Sequence, residues 1–143
     1  MTRVDFYLLP ESGADARERF ACRVAEKAYD SGYRVLLLTA DAEQTERIDG
    51  LLWTFRQGSF VPHAALDQRD DEPVGVGEDE GASSDVVLIN LTDATPATWQ
   101  QRERLAEILD QREAVLQAGR GRYRAYKEAG CEPQTHRIEE GRR

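Results

Sequence analysis

The chain has 143 residues, 40% hydrophobic and 32% charged, and 27 acids outweigh 19 Lys and Arg for a net charge of -8. That length suits one domain with a single core. No uninterrupted apolar run approaches the roughly 20 residues that span a bilayer, and the start, MTRVDFYLL, lacks the pattern of a secretory signal. So acidic a body opposes a phosphate backbone, which argues against direct nucleic-acid binding. Cys22 and Cys131 stand far apart and in no metal-binding or CxxC spacing, as expected for reduced thiols of a cytoplasmic protein.

Residues 4–9 (VDFYLL) predict a first strand, ended by Pro10. Ser12 is placed to cap a helix whose apolar positions, Phe20, Val24 and Ala28 with Ala21 and Ala25 beside them, recur at helical spacing until Gly32. Residues 33–39 (YRVLLLT) read as a strand buried on both faces. Asp41 and Gln44 form a capping box for a second helix, with Ile48, Leu51, Leu52 and Phe55 facing inward. This order predicts an α/β sandwich on a mostly parallel sheet, because a helical crossover returns the chain in the same direction.

Residues 67–85 hold eight acids and one arginine among Gly, Ser and Pro, so an exposed acidic loop is expected, with a short edge strand at 73–76. Residues 86–91 (VVLINL) predict a third buried strand. Propensity favours helix over 96–110 and again over 112–129. The expected organisation is one domain over 1–132 and a flexible tail over 133–143.

The fingerprints of an α/β nucleotide enzyme are missing. The turn LLPESGADAR after the first strand matches neither GxGxxG nor GxxxxGK[ST], and Glu11 stands where a phosphate would approach. Asn90 occupies the position at which a magnesium-holding acid would end the third strand. His63 and His136 have no partners at ligand spacing, and the acids at 70–72 and 78–80 lack the alternation of a calcium loop, so neither metal nor cofactor is expected.

Two features are left over. In LLW at 51–53, Trp53 lies about 140 degrees from Ile48 around the helix, near the solvent side, and FVPH follows at 60–63. Periodicity leaves open whether Trp53 and Phe60 form an interface or fold back over the core edge. The second is AGRGRYRAYKEAG at 118–130. On a helix, Arg120, Arg124 and Lys127 share one face, Tyr123 borders it, and Arg122 lies far around; Leu116, Tyr123 and Tyr126 make an adjoining apolar stripe. Such a surface suits a peptide that carries carboxylates and a hydrophobic residue, although a solvated basic face is the plainer reading.

VDFYLL, LLW followed by SFVPH, and RYRAYKEAG, in that order and spacing, resemble the chi subunit of bacterial DNA polymerase III. The resemblance implies a three-layer α/β/α domain without catalysis. It implies two partners: the psi subunit of the clamp loader, and the acidic, phenylalanine-ended C-terminal tail of single-stranded-DNA-binding protein. Matched by motif, the tail site comprises Arg120, Tyr123 and Arg124, with Leu109 as apolar neighbour and Arg122 and Lys127 adjacent. The psi contact falls on Trp53 and Phe60 with Val61 and Pro62, a surface that in some bacteria also serves a helicase-like partner. The resemblance also makes 104–109 a strand, against propensity. Gly119 and Gly121 each cost a helix interior roughly 1 kcal/mol, so the helix is expected to start later or to fray at Arg120. The alternatives are a small nucleotide-binding α/β enzyme and a direct single-strand binder.

Overall fold

A computed structural model describes residues 1–139. The chain runs β1 (Arg3–Leu8), α1 (Ala14–Asp30), β2 (Val35–Leu38), α2 (Ala42–Thr54), β3 (His63–Ala65), β4 (Val74–Gly77), β5 (Val87–Asn90), β6 (Arg104–Leu109), α3 (Glu113–Glu128) and β7 (Gln134–Arg137). All strands are parallel, in the order β3-β4-β2-β5-β6-β1-β7.

The central strands explain the layering. VLLL of β2 and VLIN of β5 are buried along their whole length, so both sheet faces need covers. On one face Phe20, Ala21 and Ala25 of α1 and Ile48 and Leu52 of α2 pack over Val35, Leu37 and Ile89. On the other, Val115 and Tyr126 of α3 pack over Val4, Phe6, Leu88 and Leu105. Each fully buried Leu or Ile contributes roughly 1.5–3 kcal/mol, and the result is a three-layer α/β/α sandwich.

Four local expectations are overturned. The cap of α1 is Gly13 rather than Ser12, with no side-chain bond; its φ of 122° is a conformation that favours glycine. Residues 74–77 are no edge strand, since β4 is buried between β3 and β2. The acidic stretch beside it is partly fastened. Its single arginine, Arg69, grips buried Asp85 through two bonds of 2.7 and 2.8 Å. Burial pushes the Asp85 carboxyl up, but the bonds from Arg69 and Ser83 outweigh it and hold the group below its ordinary range.

The third correction concerns 96–110. Only a short turn at Trp99–Gln101 is helical, and Arg104–Leu109 is a strand, as the chi resemblance implied. Leu105 and Leu109 face α3 while Ala106 and Ile108 face α1, a two-residue alternation that outweighs helix propensity. Fourth, residues 134–137 are not a flexible tail but β7, paired along β1 from Asp5 to Leu8. An edge strand needs no apolar pattern, because its exposed side chains leave backbone bonding to do the ordering. Residues 140–143 of the expected tail lie outside the described residues. Both cysteines are buried and free, and burial pushes the Cys22 thiol up to about 12.

Candidate functional site: two exposed surfaces

The inner face of α3 is set by Val115, Gly119, Arg122 and Tyr126, spaced by four, three and four residues. A Cβ on Gly119 would stand 2.5 Å from Leu109 Cδ1, so glycine is what lets the helix seat on β6. The expected fraying does not occur; α3 is continuous through both glycines. Leu109, 4% exposed, is therefore floor beneath the helix.

Arg122 is the clearest correction to the predicted tail site. It is buried, its Nε donates to Glu107 Oε2 at 2.9 Å, and its Nη1 donates to the Asp93 carbonyl. The same Glu107 oxygen accepts from Tyr126 Oη at 2.6 Å and from Asn90 Nδ2 at 3.0 Å. Burial, with Glu107 beside it, pushes the Tyr126 phenol well above its ordinary value. Arg122 and Tyr126 thus bind the helix to the sheet, and neither is available to a ligand. Asn90, placed where a magnesium-holding acid would sit, serves the same buried knot. Glu107 was the residue missed; a lone acid between buried strand positions was the signal for it.

The outer face carries Arg120, Arg124 and Lys127, all exposed. Arg120 reaches Glu113 at 3.6 Å and Lys127 reaches Glu132 at 3.4 Å, both solvent pairs of small energetic weight. Arg124 has no ion pair among the described residues. Tyr123, half-buried, sets its ring edge-on to Phe6 with centroids 5.3 Å apart, and with Leu8 and Leu116 forms an apolar border to the cations. Guanidinium groups beside a partly covered aromatic can hold carboxylates and receive an apolar side chain.

The second surface lies on the opposite sheet face and the far half of the sheet. Trp53, near the end of α2, is 58% exposed and Phe60 63%, with ring centroids 6.0 Å apart. His63 supports the indole from below at 4.7 Å. Its own nitrogens lie 2.7 Å from the Val61 carbonyl and 3.1 Å from that of Asp49, which makes it structural. Val61 is fully buried and drops out of the predicted surface, because its side chain points into the α1–α2 core; Pro62 is half-buried at the margin.

A family model described as DNA polymerase III chi subunit, HolC, matches residues 1–134. This chain belongs to that family. The chi subunit of Pseudomonas aeruginosa is 42% identical over 96% of this chain and 98% of its own length. That of Escherichia coli K12 is 31% identical over 91% of this chain and 94% of its own. A solved structure titled S. cerevisiae dbp5 l327v bound to gle1 h337r and ip6 aligns with a TM-score of 0.67 at 8% identity, over 97% of this chain and 42% of that one. At that identity it speaks for the fold alone. The chi-family chain is accordingly an accessory subunit of DNA polymerase III, at work in DNA replication, and not the catalytic subunit. Among the described residues no helix is long and apolar enough to cross a membrane, and no cluster of three His, Cys, Asp or Glu is placed to hold a metal.

Proposed function

We propose that this chi-family chain is a non-catalytic adaptor that joins the clamp loader, through psi, to the C-terminal tail of single-stranded-DNA-binding protein. The observation that carries the reading is Arg124, exposed and without an ion pair among the described residues, next to half-buried Tyr123. In the proposed mode the tail's phenylalanine ring enters the apolar border of Tyr123, Leu116 and Leu8, its terminal carboxylate meets Arg120 or Arg124, and its upstream acids follow toward Lys127. Ring burial supplies much of the affinity, and the charges supply orientation and salt dependence. The exposed Trp53 and Phe60 support a separate psi contact, since a paired aromatic patch is the usual centre of an interface. Where a helicase-like partner exists, it is proposed to share that patch.

Two mixing experiments test the adaptor. Naked single-stranded oligonucleotide at physiological salt should bind negligibly, and binding should appear once the strand is coated with tail-bearing protein. Strong binding to the naked strand would replace the adaptor with a direct single-strand binder. In a pull-down, Trp53→Ala should lose psi while still capturing the tail peptide; retention of both partners would remove Trp53 from the interface.

A further inference from the structure

The sheet face opposite α3 carries a groove of about 540 Å³ between α1 and the strands β6, β1 and β7. Four cations line it, Arg3, Arg23, Lys27 and Arg104, against one carboxylate, Asp5. That carboxylate is already engaged, by Arg3 at 3.0 Å and by His136 Nε2 at 2.8 Å. Arg23 and Lys27 have no ion pair among the described residues, and the Arg104 guanidinium lies 5.9 Å from the centre of the Tyr33 ring. In a chain of net charge -8 this is a local reversal of sign. Its floor is apolar: the Tyr7 ring, stacked on His136 at 5.0 Å, lies beside Phe20, Val24 and Ile138.

The groove opens along β7, the last strand of the sheet, whose outer edge has no neighbouring strand among the described residues. His136 and Ile138 line the groove from that edge, so a chain paired to β7 would turn alternate side chains toward the cations. An exposed edge of this kind accepts an extended peptide by main-chain hydrogen bonds. A nucleic-acid backbone has no N–H donors to pair with the carbonyls of β7, and its continuous phosphate charge runs on past the cations into the acidic body, whereas a peptide can confine its acids to the groove.

We propose that the groove and the free edge of β7 form a second docking site, for an extended acidic peptide segment of a partner protein that places an apolar side chain on the Tyr7 and Ile138 floor. The site is independent of the α3 surface. Its test uses a short fluorescent peptide alternating glutamate and leucine, measured by anisotropy against the full chain carrying Arg124→Glu, so that failure of the α3 site cannot be confused with failure of this one.

Binding should persist in that background and fall by about ten-fold or more when Arg23→Glu and Lys27→Glu are added. A peptide alternating lysine and leucine should bind this charge-reversed protein better than it binds the parent, a rescue that a merely unfolded variant would not show. Amide exchange at Thr135–Arg137 should slow on adding the acidic peptide. Equal affinity with and without the charge reversal would overturn the groove, and unchanged exchange along β7 would overturn the edge pairing. Displacement of the peptide by oligothymidylate of equal charge would reassign the site to nucleic acid.

Discussion

The two faces of α3 hold the same residue types and use them oppositely. On the inner face Arg122 and Tyr126 converge on one carboxylate oxygen of Glu107, sealed between helix and sheet. On the outer face Arg124 and Tyr123, their neighbours in sequence, face water or a half-covered apolar border. Burial makes the difference. A guanidinium out of water must be matched, and once matched its loss strands the partner; the same group in water is nearly neutral to stability and free to meet a ligand.

That comparison can be broken in order of expected effect. Arg122→Ala leaves Glu107 buried without its cation and should destabilise the fold by about 3–5 kcal/mol, read as a lowered urea midpoint. A loss below about 1 kcal/mol would mean that the knot is not what holds α3. Gly119→Ala gains helix propensity but forces a Cβ to within 2.5 Å of buried Leu109, so a net loss of about 1–2 kcal/mol is expected. Its companion, Gly121→Ala, meets nothing within 4 Å and should instead stabilise by about 0.5–1 kcal/mol. The opposite signs of these two glycine changes would sharpen the assignment of faces; equal signs would contradict it. Arg124→Ala should shift stability by no more than about 0.5 kcal/mol.

Much of the architecture was legible because apolar patterning dictates it. β2 and β5 are nearly continuous apolar runs and β1 is mostly apolar, α1 and α2 carry their core faces at helical spacing, and Trp53 falls off the inner stripe of α2 and is indeed exposed. The misses at β6, β7 and Val61 share one cause, polar residues in places that patterning expects to be apolar, or the reverse. Glu107 disguised β6, although its charge is matched by Arg122 in the finished fold. The polar QTHR of β7 hid a strand whose ordering comes from backbone pairing with β1. Val61, beside two exposed aromatics, looked like surface and is core.

The candidate tail surface was legible only as a face. Spacing put Arg120, Arg124 and Lys127 together and set Arg122 far around the helix, and the structure agrees with that geometry. Which side of the helix meets the sheet depends on Gly119 over Leu109 and on Glu107 beneath Arg122, contacts across the fold that spacing along α3 does not reveal.

The central claim, that the outer face of α3 is a receptor for an acidic, phenylalanine-ended tail, is tested most directly by calorimetry of that peptide against the parent chain and Arg124→Glu. The parent should bind with a Kd on the order of micromolar, about -8 kcal/mol. The Arg124→Glu protein, equally stable and still able to capture psi, should show no measurable heat of binding. An unchanged affinity in that variant would contradict the account.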